Sequence, residues 1–250
     1  GSAAYQTTDM KMRYPYDEPV NSDKFSNMIS AFTNVEVISF VSNSTDDAAK
    51  YGLDSGYKIV IRDSAATHTL TFGNTAEDGN VYAMYNDCGF IFTVKPDMLN
   101  AVKDIKPFDL IDKFAHIYNI DSVDSITVTG TGRKHVLSIS RSGSGDEQKC
   151  EYKIDDKKAA EDAFKGYYQK VIGLTVTGVP SDDEKGEQMC EVSFKMTDGK
   201  VYKSVYYEQD ERNVRLVRPD GRSYLMLRKY VTEMLDSLDK FYGSPDKKPE

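Results

Sequence analysis

Between residues 57 and 105 the chain alternates apolar and polar positions through several short runs, then changes to helical spacing. The alternation predicts strands at 57–63, 67–73, 81–86 and 89–95, joined by compact turns at Asp63 to Ala66 and Asn86 to Gly89. Pro96 suits the first turn of the helix that follows, where its missing N–H costs nothing. The same succession returns at 191–241. Tyr57, Ile59 and Ile61 correspond to Val192, Phe194 and Met196 at 192 − 57 = 135; Val81 corresponds to Val214 at 133, and Phe90 to Tyr224 at 134.

Upstream, residues 10–14 read as a short strand ended by Pro15. A helix follows over 23–33, with Ser22 or Asp23 as N-cap and Phe25, Met28, Ile29 and Phe32 on one face. The β-branched run 35–42 reads as a strand, and 43–56 as a loop or short helix punctuated by Gly52 and Gly56. A second helix is expected at 107–118, burying Leu110, Ile111, Phe114 and Ile117. A hairpin follows at 126–140, then a flexible connector at 142–148. The helix expected at 156–170 places Ala160, Ala163, Phe164 and Tyr167 on one face, 135 residues after their counterparts.

These elements predict an α+β fold: a tandem repeat of two strand–helix–antiparallel sheet–helix units, with TATA-binding-protein-like halves as the architectural analogy. The expected layout is a tag and leader at 1–9, a first repeat at 10–120 and a hairpin and connector at 121–149. The second repeat spans 150–242 and a polar tail 243–250.

Composition narrows the function classes. The net charge of −8 argues against a protein that tracks nucleic-acid phosphates. Arg212, Arg215, Arg218 and Arg222, with the basic triplet at 133–135, read as solvated strand and turn positions. No run of 18 apolar residues crosses a membrane. Gly1-Ser2 looks like a cloning scar, so a natural N-terminal anchor is expected to have been removed.

The residues that carry chemistry do not assemble into a motif. His68, His116 and His135 fall on a strand, a helix and a hairpin turn, without ligand spacing. Cys88, Cys150 and Cys190 form no Cys-x-x-Cys pair, and a Cys150–Cys190 bridge is left open. The glycine-rich 130–135 reads as a hairpin turn, because a phosphate cradle would need a helix after it. The acidic loops at 45–47, 181–184 and 208–211 lack a calcium ligand ladder and read as solvated, the 181–187 loop needing no partner. Tyr202 and Tyr206 share a strand face opposite Tyr207, and Tyr82 and Tyr85 lie on a strand of the first copy. Such a row either faces solvent as a binding surface or packs across strands. No catalytic, cofactor-binding or metal-binding residue is assigned.

Tyr51-Gly52-Leu53-Asp54, Gly73, Val81-Tyr82 and Leu110-Ile111-Asp112-Lys113 together resemble the bacterial family known as domain of unknown function 4340, over residues 10–140. Tyr14-Pro15 stands where that family usually has Trp and Pro after its first hairpin. The family's opening hairpin is not found before residue 10. The resemblance implies an envelope protein on one N-terminal transmembrane segment, encoded beside ABC-type transport or gliding-like components. It implies no catalytic residues.

The expectation is therefore a non-enzymatic extracytoplasmic binding or scaffolding module without cofactor, acting on a protein partner such as a membrane transport complex. Its alternative is a small-molecule or glycan binder using a cleft between the repeats.

Overall fold

The computed structural model describes residues 10–86, 88–130, 132–143 and 147–242, apart from the side chains of residues 133 and 239–242. The expected leader at 1–9, the tail at 243–250 and the middle of the connector lie outside the described residues. The chain divides between Asp112 and Lys113 into two compact units.

The first unit begins with a two-stranded ribbon, β1 (Lys11–Met12) and β2 (Glu18–Pro19). Helix α1 (Ser22–Ser30) follows, capped by Asn21, whose side chain accepts from the Lys24 N–H at 3.1 Å. That cap lies one residue earlier than expected. After it come β3 (Ser39–Ser42), β4 (Tyr57–Arg62), β5 (Thr67–Thr75), β6 (Val81–Tyr85) and β7 (Ile91–Val94). Helices α2 (Pro96–Lys103) and α3 (Pro107–Leu110) complete the unit. Its five-stranded sheet runs in the order β3-β7-β6-β5-β4. Leu70, Phe72, Val81, Ala83, Phe92, Val94 and Met98 form its core, against which Phe32, Ile59 and Leu99 pack.

The helix expected over 107–118 stops at Leu110 because the backbone beyond it bonds sideways. Asp112 donates to Pro19, Ala115 donates to Leu174, and Lys113 accepts from Val176. An extended segment making such bonds cannot also close helical i→i−4 bonds.

The second unit contains β8 (Val123–Gly130), β9 (Arg133–Ser142), β10 (Lys149–Ile154), β11 (Lys157–Lys158), α4 (Glu161–Ile172), β12 (Val176–Gly178), β13 (Gln188–Met196), β14 (Val201–Glu208), β15 (Asn213–Val217), β16 (Ser223–Leu227) and α5 (Arg228–Tyr242). One nine-stranded sheet takes in all nine strands in the order β11-β10-β9-β8-β13-β14-β15-β16-β12. Helix α4 buries Phe164, Tyr167, Tyr168 and Val171; Phe164 and Tyr167 belong to the expected face, whereas Ala160, the N-cap, and Ala163 are exposed.

The α+β expectation is corrected by this architecture. Strand accounts for 41% of the structure and helix for 23%, in antiparallel sheets of nine, five and two strands. The chain is mostly β and is not a strand–helix repeat with TATA-binding-protein-like halves. The hairpin expected to be a connector is the physical reason. Its strand β8 pairs with β13 along seven residue pairs, from Cys190↔Gly130 to Met196↔Val123. That pairing satisfies the edge of β13 and carries β9, β10 and β11 into the same sheet.

Strand order still corresponds within the two sheets. In each, a four-strand meander precedes a helix, and the strand before the meander lies beside its last member: β4-β5-β6-β7-β3 and β13-β14-β15-β16-β12.

Candidate functional site

In the first unit the Tyr51-Gly52-Leu53-Asp54 stretch is a packing device. A short 3₁₀ turn, Ala48–Tyr51, ends at Gly52 with φ +72°, whose N–H bonds the carbonyls of Ala48 and Ala49. A Cβ on Gly52 would stand 2.5 Å from Asn74 Oδ1; on Gly56 it would overlap the Phe72 carbonyl, and on Gly73 the Tyr51 carbonyl. At Gly56 and Gly73 backbone therefore lies on backbone, which only glycine permits. The apposition drives Leu53 to 2% exposure and sets Tyr51 against Tyr82, their ring centroids 4.7 Å apart.

This cradle stiffens a sheet with an unusual rim. Among the described residues thirteen large apolar side chains are exposed, and ten belong to the first unit. Val35, Val37, Ile38 and Phe40 line the approach to and start of β3, with Phe40 72% exposed. Phe90 meets Phe40 edge-on, with centroids 6.2 Å apart. Strand β3 pairs only with β7 among the described residues, so its outer edge is open. The Lys95–Glu36 pair at 2.9 Å is the charge beside it. Sheet edges are normally blunted by lysine, proline or a cover, and this one carries apolar side chains instead.

The second unit holds a buried polar cluster. His116 is fully enclosed, and its Nε2 is hydrogen-bonded to the Tyr206 hydroxyl at 2.7 Å. Burial, aided by the Arg218 charge, lowers the His116 pKa to about 3, so the ring is neutral at physiological pH. Burial also pushes the Tyr206 hydroxyl well above its ordinary range, so it stays protonated. Phe194, Tyr118 and Tyr202 pack beside them with ring centroids 4.7–5.3 Å apart, Tyr118 and Tyr202 stacked and the other pairs tilted. Arg218 donates to the Phe114 carbonyl and lies over the Tyr224 ring at 4.6 Å. An imidazole so placed fixes a tyrosine and meets no solvent.

The other sequence candidates are accounted for locally. Tyr206 is fully buried, Tyr202 stacks on Tyr118, and Tyr207 lies under Lys185. These three tyrosines thus pack against neighbouring side chains of the same unit. His68 bonds Tyr85 at 2.5 Å and lies 3.3 Å from Asp63, on the exposed β4–β5 hairpin. Hydrogen bonds from the Ala66 and Ala65 N–H groups lower the Asp63 pKa. His135 bonds Asp155 at 2.7 Å. The three histidines remain apart, and no group of three or more His, Cys, Asp or Glu could hold a metal among the described residues.

Two expectations need correction. Arg215 is no solvated strand residue: at 1% exposure it donates to Gln209 at 2.9 Å and to Asp182 at 2.6 Å. Asp182 lies in the acidic loop read as needing no partner, and the Arg215 guanidinium holds its carboxyl below the usual range. All three cysteines are free; Cys150 lies on β10 and Cys190 on β13, with two strands between them. Burial pushes the Cys190 thiol to about 12.

The sequence missed the exposed rim, although the β-branched run at 35–42 was its signal. It also missed two grooves lined by both α4 and α5, of about 340 and 280 Å³. The first is lined by Leu174, Tyr230 and Met234, the second by Tyr167 and Leu238. No helix among the described residues is long and apolar enough to cross a membrane.

No curated protein and no solved structure matches the chain. A family model does match, over residues 11–189, extending past the 10–140 of the sequence resemblance into β13. The matched span holds the glycine cradle and the rim, and the chain belongs to the family described as domain of unknown function DUF4340.

Proposed function

We propose that this chain is a non-enzymatic binding or scaffolding module that meets a protein partner through the apolar rim of its first unit. The observation that carries the reading is the open β3 edge with Phe40, Phe90 and the Val35–Ile38 approach exposed beside it. Exposed aromatic and β-branched side chains at a sheet edge offer main-chain hydrogen bonds and apolar burial together, which suits protein contact. The glycine cradle supports this role, since backbone-on-backbone packing holds the sheet in one shape before a partner arrives. In this reading the module stands outside the cytoplasm on an N-terminal anchor and serves a membrane transport complex, as the sequence resemblance implies.

The test places a photo-crosslinking amino acid at position 40, 90 or 201 of the full-length protein in its own cells. Val201, exposed on β14 of the second unit, is the control. Discrete adducts with the same membrane-complex component at 40 and 90, absent at 201, are expected. Position-independent labelling refutes the reading, as does hydrolase turnover that disappears on a single point mutation.

A further inference from the structure

We infer that the opposite edge of the same sheet, the outer side of β4, receives an extended antiparallel strand whose two faces are apolar and acidic. This goes beyond the β3 reading and rests on different residues.

The second unit shows what such an edge accepts. By strand order and by the 135-residue offset, β4 corresponds to β13: each is the first strand of its meander, and Tyr57 and Ile59 stand where Val192 and Phe194 stand. In the second unit β8 covers that edge, setting Val128 opposite Val192 and Ile126 opposite Phe194. Under this cover Val192 and Phe194 are 0% exposed. Among the described residues β4 pairs only with β5, and Tyr57 is 46% and Val60 49% exposed. Among the described residues one meander has its lateral strand and the other has none.

The chemistry of the occupant follows from the alternation. Toward Tyr57 and Ile59 the added strand needs branched apolar residues two positions apart, as β8 supplies with Ile126 and Val128. On the other face β8 carries Ser125, Thr127 and Thr129 opposite Lys195, Ser193 and Glu191. At β4 that face presents Lys58, Val60 and Arg62, all exposed, and among the described residues neither cation has an ion-pair partner. Opposite charges across strands favour pairing and like charges oppose it, so glutamate or aspartate belongs there. A second copy of the chain fits poorly: antiparallel β4 against β4 with Val60 opposite Val60 sets Lys58 against Arg62.

The probe is a blocked, fluorophore-labelled ten-residue peptide alternating valine or isoleucine with glutamate, compared with its lysine counterpart. The intact chain should bind the glutamate peptide about tenfold more tightly by anisotropy. The Lys58→Glu/Arg62→Glu variant, with an unchanged melting temperature, should reverse that preference. Amide exchange in 57–62 should slow on binding while 39–42 stays unchanged. A Phe40→Ser variant should bind the peptide as wild type does, which separates this site from the β3 rim. Failure to bind, equal affinity for both peptides, protection at 39–42 instead, or self-association of the free chain lost in the charge-reversed variant would each overturn the inference.

Discussion

Acidification should unfold the second unit through His116 by a calculable amount. The buried ring has a pKa of about 3, against 6.5 for an unperturbed histidine. Between those values the unfolded chain binds a proton that the folded chain refuses. The contribution is therefore fully present above pH 6.5 and is lost progressively as the pH falls toward 3. From pH 6 to pH 4 the two binding curves diverge by about 1.8 decades, or ~2.5 kcal/mol of lost stability. Surface carboxylates also titrate in this range, so the quantity to measure is a difference. Urea unfolding followed by circular dichroism at pH 6 and pH 4 should be run on wild type and on His116→Gln, whose amide does not titrate. The wild-type loss should exceed the variant's by ~2.5 kcal/mol. Equal losses would refute the argument, as would folded-state His116 ring resonances titrating near pH 6.5.

Gly73→Ala should cost more than 2 kcal/mol, because the new Cβ overlaps the Tyr51 carbonyl, a backbone atom with no room to yield. Gly79→Ala, at φ +84° with open space around it, should cost only about 1 kcal/mol of backbone strain. Similar melting temperatures for the two variants would contradict the cradle. A thiol reagent at pH 8 should label Cys88 and Cys150 promptly and Cys190 only on unfolding, since Cys190 is buried with a thiol near pKa 12. Three equally fast thiols would contradict the burial of β13.

What the sequence revealed was local and periodic. The meander strands and the helix opened by Pro96 lie within a few residues of their expected places, because alternation and turn chemistry act over short distances. The glycine cradle was half legible. Gly52 announced a turn, but its meeting with Asn74, and that of Gly73 with Tyr51, depends on a fold-back between segments about twenty residues apart. The ion pair that buried Arg215 makes with exposed Asp182 was illegible: the two are 33 positions apart, and each looked solvated in its own neighbourhood. The helix expected at 107–118 failed for the same reason. Its apolar spacing was real, but Pro19 and Leu174 supplied hydrogen bonds that no local window contains.

Fold class turned on a choice that periodicity cannot make, namely which edge a hairpin joins. Residues 123–142 alternate in the same way whether they stand alone as a connector or complete a sheet. They complete β13, and a repeated strand order thus yielded one sheet of nine strands and another of five. The same ambiguity makes β4 informative. Its exposed Tyr57 and Val60 violate the usual protection of a sheet edge, whereas the corresponding edge in the same chain is covered and dry. Evolution disposes of an open edge by charge, by twist or by a neighbour. Lys58 and Arg62 are charges of the first kind, yet they stand beside apolar side chains that charge alone would not require. A cation at each end of a short apolar strand both discourages self-pairing and selects an acidic visitor, and that pairing of costs and preferences is how an edge becomes specific.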